Sequence, residues 1–149
     1  MNLGRIVFRA RGEEHISRPP PNAEWRSVVA KPQPAVRAWR ADANADVRTD
    51  HGVLRAVAGR DYIVEYGGGD HAVVRADIFE RTYEPLGGGL YRKRTDVLLR
   101  YFTLKKRVVV ETLEGPQIAE AGDWIMQGVE GELWPVSPEK GAEKYVHVQ

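Results

Sequence analysis

An internal repeat constrains the fold more than any other feature of the sequence. The stretch 61–83 returns at 123–145, 62 residues later and without a gap. Several aligned pairs keep their aromatic, aliphatic or acidic character, and five are identical. The identical pairs are Asp61/Asp123, Ile63/Ile125, Gly69/Gly131, Val74/Val136 and Tyr83/Tyr145. A period of this length that occurs twice predicts two duplicated units, because a solenoid needs more copies.

The repeat extends upstream less regularly. Residues 31–39 match residues 93–101 at the same spacing, whereas residues 49–52 match 112–115 only after a slip of one residue. We therefore predict four parts of the chain. They are an N-terminal arm with a proline-rich connector at 1–26, a first repeat at 27–86, a glycine-rich linker at 87–90 and a second, degenerate repeat at 91–149.

Short runs of β-branched and aromatic residues, bounded by Gly, Pro, Asn and Asp, predict a series of strands. The predicted strands are 3–10, 27–30, 35–39, 45–49, 52–57, 61–66, 71–75, 97–102, 107–112, 123–127, 133–136 and 144–148. Turn residues at 50–52 and 67–70 predict hairpins.

One short helix is predicted at 76–83, in the first repeat. Asp77 is placed to cap it, Ile78 is its next apolar residue, and Phe79 and Tyr83 share one face. In the second repeat, Pro138 and the two residues after Glu139 replace the apolar positions, which predicts an irregular segment. The pattern therefore predicts an α+β, predominantly β fold: two tandem β-rich repeat units with a short helix, packed with pseudo-twofold symmetry.

Asp61 and Asp123 stand at matching positions before strands of the two repeats. They could form paired carboxylates for acid–base chemistry if the repeats meet at these ends. An Asp before a strand more commonly accepts hydrogen bonds from a turn, and we favour that interpretation. The residues of the structural motif are then Asp61, Asp77, Ile78, Phe79, Tyr83 and Asp123.

Composition restricts the cellular compartment and the classes of partner that we expect for the protein. The chain has no cysteine, which excludes disulfides and thiolate chemistry and fits a reducing cytoplasm. No apolar run approaches the roughly 18 residues that a membrane helix needs, and the N-terminal segment lacks the apolar core of a signal peptide. A net charge of +1 and a pI near 8.0 argue against a nucleic-acid partner. We expect a cytoplasmic protein with no membrane association.

Nothing in the sequence resembles a catalytic motif. The histidines lack metal-ligand spacing, and the serines lie in no nucleophile elbow. The glycines at 67–69 lack the Lys and Ser/Thr of a phosphate loop and are better explained by a hairpin turn. We therefore expect no metal, no cofactor and no catalytic residue, which argues against an enzyme.

Charge alternates along the chain in step with the repeat. Segments 1–60, 61–90, 91–107 and 108–149 carry net charges of +5, −4, +6 and −6. Each repeat thus runs from a basic half to an acidic half. Either these are solvated faces that attract one another within the fold, or the basic halves form a groove for an anionic partner.

Aromatic residues near arginines indicate where such a partner could bind. A flat ring could stack on an aromatic side chain, including Trp39, while Arg37 or another arginine takes a phosphate. The candidate ligand-binding residues are Tyr62, Tyr66, Arg75, Arg100, Trp124 and Trp134. The alternative interpretation makes Tyr62 and Trp124 core residues.

The first repeat resembles a known family in its motifs. The order Gly-Asp-aromatic-Ile, a glycine-containing turn and Asp-Ile-Phe-Glu-x-Thr-Tyr is similar to the PGDYG family of small bacterial and phage proteins of unknown function. Residues 31–86 carry the resemblance well and 91–145 poorly, and neither repeat has the family's proline before Gly-Asp. The resemblance implies a fold and a phage or bacterial conflict setting, and it supplies no activity.

These observations predict a non-enzymatic binding module. Its ligand would be small and anionic, with a nucleotide as one example, and would be held between the two repeats. A protein–protein adaptor or inhibitor that uses the sheet edges of the first repeat is the alternative. An enzyme of unrecognised class is the third.

Overall fold

The computed structural model describes residues 13–49 and 52–149, so the strand predicted at 3–10 and the turn residues Asp50 and His51 lie outside the described part. The described residues form fifteen strands and two α-helices in a predominantly β, α+β arrangement, as predicted. The elements are β1 (Glu14–Ile16), β2 (Arg26–Ala30), β3 (Val36–Arg40), β4 (Ala45–Thr49), β5 (Gly52–Ala56), β6 (Asp61–Glu65), β7 (His71–Arg75), α1 (Ala76–Thr82), β8 (Tyr83–Gly87), β9 (Leu90–Lys93), β10 (Leu99–Thr103), β11 (Val108–Thr112), β12 (Gly115–Ala119), β13 (Trp124–Gln127), β14 (Leu133–Val136), α2 (Pro138–Lys144) and β15 (Tyr145–His147). No helix in these two ranges is long and apolar enough to cross a membrane.

The chain divides into two compact units, but not at the expected positions. The continuous unit is Val29–Val97, and the discontinuous unit combines the described residues up to Val28 with Leu98–Gln149. The glycines at 87–89 are not a linker between units. They turn β8 into β9 inside the continuous unit, with φ between +64° and +96°, a region in which glycine is favoured.

The continuous unit is one seven-stranded sheet in the order β5-β4-β7-β6-β3-β9-β8. Helix α1 lies on β6, β7 and β8. Phe79 of this helix packs with Ala38, Val64 and Tyr83 into one core cluster. The other side of β6 faces a second cluster that contains Ala41, Val47, Ala56 and Ile63.

The discontinuous unit contains a five-stranded sheet, β14-β13-β10-β2-β15, and a three-stranded sheet, β1-β11-β12. Strand β1 runs parallel to β11, so the segment that precedes β2 is attached to this unit. Its core cluster is lined by Phe102, Leu104, Val110 and Ile125, with Trp25 packed against it.

The strand orders of the two units correspond, although the continuous unit has one sheet and the discontinuous unit has two. Strands β7-β6-β3-β9-β8 match β14-β13-β10-β2-β15 one for one, and the β4–β5 hairpin matches β11–β12. Matching backbone hydrogen bonds accompany the matching strands. The bond from Ala41 N to Asp61 O matches that from Leu104 N to Asp123 O. The bond from Gly59 N to Ala41 O matches that from Gly122 N to Leu104 O, and the bond from Tyr66 N to Asp70 O matches that from Gly128 N to Glu132 O.

The slip of one residue in the repeat has a structural location. Before Arg60 the matching residues are 63 apart, as in Thr49 and Thr112, whose hydroxyls both donate to a glycine carbonyl three residues on. After Arg60 they are 62 apart. Trp39 pairs with Ile63 as Phe102 pairs with Ile125. Trp39 therefore matches Phe102, and the uniform spacing of 62 expected for residues 31–39 is wrong by one residue.

Helix α2 was not predicted, and the irregular segment expected there is wrong. The Ser137 hydroxyl accepts a hydrogen bond from the Lys140 backbone N–H at 3.2 Å, and Pro138 occupies the first turn, where its missing N–H costs nothing. A Cβ at Gly141 would lie 2.3 Å from the Trp124 ring. The glycine is therefore required by close packing and does not interrupt the helix.

The start of α1 also differs from the prediction. Arg75 is the N-cap residue, without a side-chain cap, so Asp77 does not cap the helix. Asp77 lies inside the first turn and accepts a hydrogen bond from the Ile78 N–H at 3.0 Å. The predicted face of the helix is present, because Phe79 and Tyr83 are buried and their rings stack 4.5 Å apart.

Candidate functional site

The six candidate ligand-binding residues are divided between the two units. Tyr62, Tyr66 and Arg75 belong to the continuous unit, and Arg100, Trp124 and Trp134 to the discontinuous unit. Their contacts show what each of them does.

Tyr62 and Trp124 take part in the packing of their units. Tyr62 stacks on Phe79 with ring centroids 4.1 Å apart, and its hydroxyl donates to Glu80 Oε2 at 3.3 Å. Burial, followed by the Glu80 carboxylate, raises the pKa of Tyr62. Trp124 is buried and stacks on Tyr101 at 3.9 Å. The alternative interpretation of these two residues, as core residues, matches the structure.

Arg75, Tyr66 and Trp134 have different contacts. Arg75 donates two hydrogen bonds to Asp77, at 3.0 and 2.7 Å, and these bonds lower the pKa of Asp77. Tyr66 lines a cavity of about 150 Å³ with Tyr83. Trp134 is half-buried in β14, where it pairs with a residue of β13.

The two repeat aspartates hold turns, as favoured from the sequence. Asp61 is 1% exposed and accepts hydrogen bonds from the Val57 N–H at 2.8 Å and from the Arg60 guanidinium at 3.1 and 2.8 Å. Asp123 accepts one from the Glu120 N–H at 2.9 Å. Their carboxylates are occupied by local backbone donors, which is a structural role.

A cavity with a volume of about 760 Å³ lies in the discontinuous unit. One wall of the cavity is formed by β1 and residues 20–26. The other wall is formed by β10, residues 104–106 and the start of β11. The lining residues are Glu14, Ile16, Pro20, Asn22, Ala23, Glu24, Trp25, Arg26, Phe102, Thr103, Leu104, Lys105, Lys106 and Val108. Apolar side chains from the core cluster thus meet charged side chains in one cavity.

Trp25 is an aromatic residue of this cavity whose ring is held by two contacts. The guanidinium carbon of Arg100 lies 3.8 Å from the centroid of its ring, a cation–π contact. Phe102 meets the same ring edge-on at 5.4 Å. Arg100 is itself held, because its Nε donates to Gln127 Oε1 at 2.8 Å. Arg100, expected to take a phosphate, instead positions an aromatic ring.

Charged groups of both signs surround the cavity. Lys106 forms an ion pair with Glu14 at 2.8 Å, and both side chains are exposed. Lys105 and Arg26 add two more exposed cations, and Glu24 adds one more carboxylate. The cations among the lining residues exceed the carboxylates by one, so the cavity is weakly positive.

A second polar cluster lies on the same sheet, at Tyr101. Its hydroxyl oxygen is 2.6 Å from Nε2 of His147, and Trp124 covers its ring. Burial raises the pKa of Tyr101, and Arg26 opposes the shift. Arg26 therefore lies between this cluster and the cavity.

Sequence reasoning missed Trp25 and Lys105. The run Lys105–Lys106–Arg107 was visible as a basic stretch, and Trp25 directly follows the proline-rich connector. Their proximity depends on β1 pairing with β11 from a distance of more than ninety residues in sequence. No group of three or more His, Asp or Glu side chains among residues 13–49 and 52–149 is placed to hold a metal ion. No family model, curated protein or solved structure matches the chain.

Proposed function

We propose that this protein is a non-enzymatic binding module for a small anionic ligand that carries a flat ring, with a nucleotide as the leading candidate. The observation that carries the proposal is Trp25, held by Arg100 in the wall of a cavity that Arg26 and Lys105 also line. The volume of about 760 Å³ lies within the usual range of small-molecule sites, roughly 300–1,000 Å³.

The chemistry of the lining suits such a ligand. A ring can stack on Trp25 at low entropic cost, because Arg100 and Phe102 already restrict the indole. A phosphate or carboxylate would meet Lys105 and Arg26 in a partly apolar setting, where charge-assisted hydrogen bonds are stronger than in water.

Isothermal titration with AMP, ADP and ATP, at low and moderate salt, tests the proposal. We expect saturable binding that Lys105→Ala weakens by about fivefold and Trp25→Ala by about tenfold. Lys140→Ala is the matched control, since this lysine is exposed on α2 of the same unit and does not line the cavity. Equilibrium dialysis against a wider set of small anions follows if no nucleotide binds. Failure of every small anion to bind would overturn the proposal and favour a protein–protein adaptor.

We also propose that the two units arose by duplication of one PGDYG-like unit, and that the protein acts in the cytoplasm in a phage or bacterial conflict setting. The matching strand order and hydrogen bonds support the duplication. Reconstruction of the ancestry of related sequences tests it. Separate ancestries for 61–83 and 123–145 would contradict it.

A further inference from the structure

Trp39 is an exposed aromatic residue on the sheet of the continuous unit. Its exposed fraction is 44%, although it pairs with Ile63, which is buried. Arg37 lies two residues earlier on β3 and is exposed on the same face of the strand. The two exposed side chains define what we call the Arg37–Trp39 surface.

In the discontinuous unit the aromatic residue at the matching position is covered. Arg100 and Phe102 occupy the same two positions on β10, and Phe102 is only 5% exposed. The cover is the chain's own segment 13–26. Trp25 of that segment stacks on the Arg100 guanidinium at 3.8 Å and packs edge-on against Phe102 at 5.4 Å.

Within residues 13–49 and 52–149 the Arg37–Trp39 surface has no such cover, and a glycine explains the difference. In the β2–β10 ladder, Val28 pairs with Leu99, which places Trp25 three residues before the paired position. In the β9–β3 ladder, Tyr91 holds the matching place, and the residue three positions earlier is Gly88. The hairpin turn at Gly88 therefore puts a residue without a side chain where the discontinuous unit has an indole.

The neighbouring strand edge is also less occupied in the continuous unit. Strand β1 pairs in parallel with Val108–Val110 of β11. The matching residues of β4 are 45–47, and on that side the described ladder of β4 contains one bridge, Thr49 with His71. An added strand at 45–47 would repeat what β1 does in the discontinuous unit.

We propose that the Arg37–Trp39 surface docks an extended polypeptide segment of a partner protein, whose aromatic side chain, tryptophan above all, takes the place that Trp25 takes in the other unit. The indole stacks on Arg37 and meets Trp39 edge-on, and the segment before it adds a short parallel strand to β4. Strand addition combined with an anchoring side chain is a recurrent mode of peptide recognition.

The structure favours a polypeptide over a small molecule at this place. The occupant of the matching surface is itself a polypeptide segment, and its contacts run from β1 to Trp25. Trp39 does not line the cavity of about 150 Å³ described in the continuous unit, and its side chain is exposed. A face-on cation–π contact between arginine and tryptophan is the most favourable of its type.

A synthetic peptide with the sequence of residues 13–26, labelled at one end, is the probe. Its binding to the full protein is measured by fluorescence anisotropy. We expect saturable binding that weakens about tenfold in the Trp39→Ala protein, and equally when the peptide carries Trp25→Ala. Arg37→Ala should weaken it by about threefold. Val53→Ala, at an exposed residue of β5, is the matched control and should leave binding unchanged.

Three outcomes would overturn the proposal. The first is no saturable binding by the peptide. The second is binding that survives Trp39→Ala and is lost in Arg100→Ala, which would show exchange of the peptide with the chain's own segment. The third is displacement of the peptide by a nucleotide whose own binding requires Trp39, which would assign the surface to a small ligand. Thermal melts of each variant confirm that the exposed substitutions leave the fold intact.

Discussion

The two units share one strand order but bury their central aromatic rings in different ways. In the continuous unit, Phe79 comes from α1 and stacks on Tyr62 of β6, with ring planes 14° apart. In the discontinuous unit the matching helix residue is Gly141, and Trp124 stacks instead on Tyr101 of β10, with ring planes 8° apart. The position that matches Tyr101 in the continuous unit is Ala38.

Both units therefore contain a stacked pair of aromatic rings, but the second ring comes from the helix in one unit and from a neighbouring strand in the other. The larger Trp124 ring fills the space against the helix, since a Cβ at Gly141 would overlap it. The glycine in α2 looks damaging when taken singly, but in the folded unit it leaves room for the larger Trp124 ring. Packing density is preserved by the set of residues, which is how cores tolerate substitution.

The largest expected effect is in the ring stack of the continuous unit. Phe79→Ala should lower the free energy of unfolding by about 3–5 kcal/mol, because the ring is 1% exposed and lies between Tyr62 and Tyr83. Urea denaturation followed by tryptophan fluorescence measures it. A loss near that of an exposed residue would show that α1 does not need this ring.

The next effect concerns Tyr145, which closes the discontinuous unit. Burial raises the pKa of Tyr145 to about 12 from an ordinary value of 10.0. The unfolded chain therefore ionises first, so this contribution to stability is complete below pH 10 and is lost as the pH rises towards 12. The loss should reach about 2–3 kcal/mol.

Denaturation between pH 9 and pH 12 measures this loss, with Tyr145→Phe as the variant. The Phe variant should lack this part of the alkaline decline, whereas the wild-type chain shows it. Equal declines in the two proteins would contradict the assignment. Tyr83→Phe, at the matching residue of the continuous unit, shows whether the effect is confined to one unit.

The substitution Gly141→Ala should change the free energy of unfolding less, and in the direction opposite to that usual for a helix glycine. Replacing a helix glycine with alanine ordinarily stabilises a protein, by roughly 1 kcal/mol. Gly141→Ala should instead destabilise the chain by about 1–3 kcal/mol, because the new Cβ would lie 2.3 Å from the buried Trp124 ring. Thermal unfolding decides the sign. A stabilised variant would show that the indole moves freely and that the helix is not packed against it.

The smallest effect serves as the control for the other three. Lys140 is exposed on α2, one residue before Gly141, and the hydrogen bond to Ser137 uses its backbone N–H. Lys140→Ala should change the free energy of unfolding by less than roughly 0.5 kcal/mol. A larger change in the same melts would mean that any substitution in α2 affects stability. The effect of Gly141→Ala could then not be assigned to its contact with Trp124.

Local patterns predicted much of the fold. Strands β3 to β7 and helix α1 follow directly from alternation, turn residues and the spacing of Phe79 and Tyr83. Strand β12 was missed, because Gly115 and Pro116 argue against a strand. Strands β8 and β9 were missed because the glycines at 87–89 resemble a flexible linker. Only the pairing of the flanking strands shows that they form a tight turn.

The candidate site was much less predictable. Trp25 and Lys105 are eighty residues apart in sequence, and the pairing of β1 with β11 that brings their segments together leaves no local pattern. Helix α2 shows the same limitation in a milder form. Ser137 followed by Pro138 is a helix start signal, yet the glycine that follows can be understood only from its contact with Trp124.

The discontinuous course of one unit has a consequence for synthesis on the ribosome. All strands of the continuous unit are made once Lys93 has been translated, whereas β2 must wait for β10, and β15 ends two residues from Gln149. If residues 29–97 fold as they emerge from the ribosome, the loop between Val28 and Leu99 is no longer a free chain. The entropic cost of pairing β2 with β10 is then lower. Until then β2 presents unpaired backbone donors and acceptors. We expect the nascent chain to depend on early folding of residues 29–97 to keep that strand from pairing elsewhere.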